Sequence, residues 1–346
     1  VLFGAWNRRE EGSRCTRYVA DEPLSEQESE LLGRRANKPR PIAQRTLKGP
    51  IACTGTGLHS GRKVLMQLLP APPNHGIVFR RRDVAGAAGV LKADFRNVRD
   101  TRLCSMLINE AGTRIGTVEH LMAALYGAEI DNLIVEVDAD ELPVMDGSSA
   151  PFLFLIECAG TIEQAATRRG IEILKPLSIE DGDARLDLLP GAGFSAEFEI
   201  DFASDAIGRQ HLHIALDPGA FRQEIARART FGFEHEVAQL RAMGLARGGS
   251  LDNAVVISGS RILNEDGLRF DDEFVRHKVL DLVGDFYLAG GPLLGHVRAK
   301  RSGHRHNNAA LHALLSNKDA WRWTEMTVDS YRYADKAPPS LGGIAE

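Results

Sequence analysis

Apolar residues recur along this chain with two different periods. A period of two in Val64, Met66 and Leu68 predicts a half-buried strand over 63–69, and 46–55 reads as a strand before it. The run Leu133-Ile-Val-Glu-Val predicts a buried strand over 132–138. Further strands are expected from Ile171 onward and over 184–189, 194–202, 211–216, 255–257 and 296–299. The alternation in the fourth of these puts His211 and His213 on one face, read as facing solvent. A helical period governs 118–126, with Thr117 as the expected N-cap and Gly127 as the stop. Helices are also expected over 152–159, 221–229, 274–285 and 309–315. The intervening Thr54-Gly-Thr-Gly-Leu-His-Ser-Gly61 invites a phosphate-loop reading. No G-K-[ST] and no helix start follow it, so it is read as a turn between strands, with His59 at the surface or at a site edge.

These elements predict an α+β fold: two layered α+β domains packed against each other, with an insertion in the second, because regular strand–helix alternation is lacking. The expected boundaries are a disordered or loosely docked extension over 1–43, a first domain over 44–165 and a second over 170–325. The insertion falls at about 234–270, the linker within 161–172, and a C-terminal tail over 326–346. A chain of 346 residues, 43% hydrophobic, can bury cores of that size. Its formal charge of -5 argues against nucleic-acid binding through bulk charge. The four cysteines form no C-x-x-C pair, which fits a reducing compartment and not a cysteine zinc site. No run approaches the ~18 apolar residues of a membrane span and no signal-peptide layout is visible, so a cytoplasmic protein, a monomer, is expected.

The helix over 274–285 carries the most pointed chemistry. Val275, Val279, Leu282 and Val283 call for burial, yet His277, Asp281 and Asp285 lie four apart on one stripe. Buried imidazole and carboxylate are costly unless paired. A salt-bridged stripe would satisfy them. So would a cation, since His and Asp at i and i+4 can reach one metal as the histidines of H-E-x-x-H do. His120 would complete two imidazoles and one carboxylate, and Glu119 beside it has the type and place of a general base. A histidine opening the last helix, His304 or His306, could act as an acid if a carboxylate such as Asp285 held its proton against the helix dipole.

Four segments together resemble the UDP-3-O-acyl-N-acetylglucosamine deacetylases, zinc amidohydrolases of lipid A biosynthesis. They are Thr117-Val-Glu-His-Leu-Met-Ala-Ala-Leu125, Leu142-Pro-Val-Met-Asp-Gly-Ser-Ser-Ala-Pro-Phe152, Arg276-His-Lys-Val-Leu-Asp-Leu-Val-Gly-Asp285 and Ser302-Gly-His-x-x-Asn-Asn308. The resemblance implies Zn2+ on His120, His277 and Asp281, with Glu119 as base and His304 as the cationic acid supported by Asp285. It implies Thr230 on the oxyanion, and Lys278 and Phe231 on the substrate, a UDP-linked acylated amino sugar. It also implies that the insertion lines a passage for the acyl chain.

Overall fold

In the computed structural model, residues 40–331 are described. The extension expected before residue 40 and the tail beyond 331 lie outside them. Strand β1 (Ala43–Leu47) and β2 (Ile51–Thr56) are separated at Lys48-Gly49-Pro50. Proline offers no N–H to continue a ladder, so the single strand expected over 46–55 is two, in different sheets. The glycine-rich segment is the turn of the hairpin joining β2 to β3 (Lys63–Pro70), as expected. Next come β4 (Ile77–Arg81) and β5 (Val90–Lys92), then a small sheet of β6 (Val98–Asp100), β7 (Met106–Ile108) and β8 (Arg114–Ile115). Helix α1 (Glu119–Gly127), β9 (Leu133–Val137) and α2 (Ala150–Ala159) follow. The first large sheet runs β2-β3-β9-β4-β5, antiparallel except where β4 lies parallel to β9.

The segment expected as the linker is mostly strand. β10 (Thr161–Thr167) pairs with β1, and β11 (Arg169–Ile173) enters the second sheet, leaving only Arg168 between them. The polar outward positions of β10 carry no apolar alternation, which is why the pattern missed it. Arg168 is 1% exposed and reaches Glu129 at 2.9 Å, Asp131 at 3.0 Å and the Tyr287 and Tyr331 hydroxyls. A guanidinium so deeply buried is tolerable only with all these partners. Tyr331 belongs to the turn Val328–Tyr331, and Met326 is fully buried, so the start of the expected tail is packed into the fold.

The second half contributes β12 (Leu177–Asp181), β13 (Ala184–Leu189), β14 (Phe194–Asp201) and β15 (Arg209–Ala215). The expected helix over 221–229 is shorter, a turn at Pro218–Ala220 running into a π-helical turn at Phe221–Ile225. β16 (Phe231–Phe233), α3 (Glu234–Ala242), β17 (Val255–Ser258) and β18 (Arg261–Ile262) make a separate small sheet with its helix, over the region of the expected insertion. Then follow α4 (Glu273–Tyr287), β19 (Leu293–Lys300), α5 (His304–Ser316) and β20 (Trp321–Glu325), an unanticipated edge strand. β19 is the axis of the seven-stranded sheet, paired with β11, β13 and β14. His211 and His213 are exposed on β15, as read.

Strands and helices segregate into layers, giving the expected α+β architecture. α4 packs on β14 and β15, α1 packs on α4, and α2 lies between α1 and β2. Every residue of α1 is buried, which suits its Leu, Met and Ala content but makes Glu119 and His120 exceptions needing partners. Gly284 sets the approach of α4 to α1. A Cβ there would lie 2.0 Å from the Glu119 carbonyl oxygen, so the two helices meet backbone to backbone. Among the described residues no helix is long and apolar enough to cross a membrane.

Candidate active site

The close approach at Gly284 puts the first turn of α1 against the polar stripe of α4. His120, His277 and Asp281 converge there, all buried, with their donor atoms within 4.8 Å of one another. His277 Nε2 is 3.3 Å and His120 Nε2 3.7 Å from Asp281 Oδ1. His277 Nδ1 donates to the Ala228 carbonyl at 3.1 Å, which fixes the tautomer and leaves the Nε2 lone pair directed at the cluster. Burial pushes the His277 pKa down to about 4, so the ring is a neutral donor. Burial opposes ionisation of Asp281, but the facing imidazoles and the Lys278 ammonium at 2.7 Å overcome it and hold the carboxyl well below its usual range.

These three residues fit a cation. Asp281 Oδ1 is buried with no hydrogen-bond partner among the described residues, an expensive state for a carboxylate oxygen. Donors at ~2.0–2.1 Å from one tetrahedral ion stand about 3.3 Å apart, the His277–Asp281 separation. The polar stripe is thus not closed by salt bridges alone. His120, His277 and Asp281 are a group that could hold a metal ion.

Glu119 precedes His120 and is 2% exposed. Its Oε2 accepts the Ser105 backbone N–H at 3.0 Å. Burial raises its pKa, against the pull of His304 and His120. Thr117, the expected N-cap, instead has φ 57°, a left-handed conformation that is uncommon for a β-branched residue. Val118 takes the cap position without a side-chain bond, and Thr117 Oγ1 donates to Glu141 at 3.2 Å. The same Glu141 carboxylate accepts the His59 and Ser60 N–H groups at 2.7 and 2.8 Å. The glycine-rich turn therefore does cradle an anion, one supplied by the chain itself.

α5 begins at His304, with Gly303 as N-cap. His304 Nδ1 donates to Asp285 Oδ2 at 2.8 Å, and Asn307 Nδ2 donates to the same oxygen at 2.8 Å. Burial disfavours the imidazolium, but Asp285, then Asp281 and Glu119, outweigh it and carry the His304 pKa up to about 9. The helix dipole is overridden, as the sequence required. His306 lines the same cavity, but its Nδ1 accepts from Gly303 N–H and its Nε2 lies 3.6 Å from Asp181, while Asp285 bonds His304.

Thr230 and Phe231 follow Arg229, whose guanidinium is locked to Glu273 at the start of α4 at 2.8 and 3.0 Å. Glu273 has no exposed surface and also accepts the Arg229 and Arg269 N–H groups. That pair anchors the 229–231 segment beside the His120, His277 and Asp281 cluster, with the Phe231 ring 6.2 Å from that of His277. Glu119, His120, Thr230, Phe231, Lys278 and His304 line one cavity of about 570 Å3. Arg102, Arg301 and Arg305 stand around it. Sharing His59 and Thr117 with it is a second cavity of about 510 Å3, more apolar, to which Leu240, Met243 and Leu245 of the 234–270 region contribute.

All nine residues singled out from the sequence lie at this one place. Reading the sequence passed over Ser105, Asn307, Glu141 and the Arg229–Glu273 pair. Asn307 stands inside a quoted motif. Nothing in periodicity marks the others, which matter through partners such as Glu119, Asp285 and Arg229 that lie 14 to 180 residues away.

Residues 44–316 match the family described as UDP-3-O-acyl N-acetylglycosamine deacetylase. The chain is 52% identical over 300 residues to the UDP-3-O-acyl-N-acetylglucosamine deacetylase of Acidithiobacillus ferrooxidans, covering 86% of this chain and 96% of that protein. It is 52% identical over 285 residues to the enzyme of that name from Idiomarina loihiensis (82% and 92% covered) and 51% identical over 285 residues to that of Vibrio parahaemolyticus (82% and 93%).

Proposed function

The chain belongs to the UDP-3-O-acyl-N-acetylglucosamine deacetylase family, an enzyme of the committed step of lipid A biosynthesis, and from that premise we propose how its residues perform the hydrolysis. The substrate is a UDP-linked, 3-O-acylated N-acetylglucosamine, and the products are the free 2-amine and acetate. The observation that carries the reading is the convergence of His120, His277 and Asp281, with an unpartnered Asp281 oxygen, beneath one cavity shared with Glu119 and His304.

His120, His277 and Asp281 would hold zinc, since two imidazoles and a carboxylate form the open donor set of hydrolytic zinc sites. Bound there, zinc supplies Lewis acidity, drawing electron density from oxygen and favouring deprotonation of water near neutral pH. Glu119 Oε2 is occupied by Ser105 N–H, so Oε1 is the oxygen that takes the proton of the attacking water. The amide carbon gains the water oxygen as a hydroxyl, and the Thr230 hydroxyl donates to the oxyanion that forms. His304 is cationic, and with Nδ1 committed to Asp285 it delivers the Nε2 proton to the departing nitrogen as the C–N bond breaks. Lys278 keeps Asp281 ionised and, at the cavity wall, faces the sugar. Phe231 packs on the substrate beside His277. The arginines around the cavity favour a diphosphate, and the adjoining apolar cavity accepts the 3-O-acyl chain, with the 234–270 region as its wall. The enzyme acts as a cytoplasmic monomer.

The test is acetate release from the 3-O-acylated UDP sugar set against the same sugar without the acyl chain. Strong preference for the acylated compound is expected. Equal kcat/KM for both would remove the apolar cavity from the account.

A further inference from the structure

Ser105 is 1% exposed, and no step of the hydrolysis draws on its hydroxyl. Its hydroxyl donates to Asp285 Oδ1 at 2.5 Å, and its backbone N–H donates to Glu119 Oε2 at 3.0 Å. Its carbonyl accepts the Val118 N–H, where α1 begins. One small residue between β6 and β7 thus touches both the carboxylate that serves as base and the carboxylate that orients the acid, which lie on different helices.

A buried aspartate turns easily about its Cβ–Cγ bond, because that torsion is broad. His304 and Asn307 both use Asp285 Oδ2, and they constrain only that oxygen. The Ser105 hydroxyl is the contact that claims Oδ1. With it, the carboxylate plane is held from both sides. His304 is then held by Nδ1 with its Nε2 edge 3.9 Å from Asp281 Oδ2, at the floor of the cavity. Without it, the carboxylate is free to rotate and the imidazole to follow.

We propose that Ser105 is a positioning residue of the deacetylation: its hydroxyl fixes Asp285, and through Asp285 the ring of His304. The inference rests on the reading of His304 as proton donor. A hydroxyl that merely satisfied its own burial would contribute to stability and leave turnover unchanged.

The experiment is a double-mutant cycle on the metal-loaded, full-length protein, with thermal unfolding and metal content read in parallel. Ser105→Ala should lower kcat by about 10–100-fold with KM within about twofold, because the group orients a transition-state donor and does not bind substrate. Ser105→Thr, which keeps the hydroxyl, should recover kcat to within about threefold of the parent. In an Asp285→Asn background, Ser105→Ala should cost less than about threefold more, since the two act as one unit. Ser105→Ala with parental kcat, a folded Thr variant as slow as the Ala variant, or losses that multiply in full would each overturn the assignment. A parent chain releasing no acetate would instead overturn the deacetylase reading itself.

Discussion

Asp285→Asn is the most informative single change, because it keeps volume and removes one charge. The carboxylate accepts from His304, Asn307 and Ser105, and is the foremost of the charges that raise His304 to about 9. From an ordinary value of ~6.5, a rise to about 9 corresponds to about 3–4 kcal/mol at ~1.4 kcal/mol per pH unit. A cation on the neighbouring triad lowers the absolute value but leaves the sign of the Asp285 effect unchanged. With Asn, burial is less opposed, and the basic limb of the kcat/KM profile should move down by about 2 units. For a limb that falls by about 2 pH units, protonation alone would cost up to about 100-fold above the parent's limb and almost nothing well below the variant's. The metal-free protein gives a second reading. A raised folded pKa stabilises below the unfolded value and is lost as pH rises through the folded one, so stability should decline between about pH 6.5 and 9 in the parent and less so in the variant. Measured pH–rate profiles with an unmoved basic limb, or a loss equal at every pH, would refute the coupling of Asp285 to the acid.

Two other changes separate roles that the geometry assigns. Glu119→Gln should retain one metal ion per chain and lose about 10²–10⁴-fold in kcat, whereas metal content falling in step with activity would make Glu119 a ligand. Gly284→Ala places a methyl 2.0 Å from the Glu119 carbonyl, so α1 must move off α4. Overpacking of that kind costs about 1–3 kcal/mol and should also weaken metal retention, because His120 rides on α1 while His277 and Asp281 ride on α4. An unchanged melting temperature and metal content would show that the helices can separate at no cost.

The candidate site residues were legible because they sit on strongly patterned helices. His277, Asp281 and Asp285 violate the apolar period of α4, and Glu119-His120 violate that of α1, so each stands out as a polar group needing a partner. What joined the two helices was not legible. The contact depends on Gly284 lacking a side chain, and a glycine inside a helix is ordinarily only a small defect. Ser105 and the Arg229–Glu273 pair were hidden for a different reason: each matters through partners far along the chain, and neither residue breaks a local pattern. Thr117 looked like an ordinary cap because sequence carries no mark of its φ of 57°. The seam at 161–173 was misread because β10 is an exposed strand with mostly polar residues, while Arg168 is buried against its usual preference.

The central claim is that a cation held by His120, His277 and Asp281 makes this chain an amide hydrolase. The direct measurement is acetate released from UDP-3-O-acyl-N-acetylglucosamine by chelated protein as zinc is titrated back. The account predicts no release without metal, activity rising to a plateau at one ion per chain, and loss of that ion on His277→Ala. Protein that binds one ion at these residues yet releases no acetate, or that works as well after chelation, would contradict it.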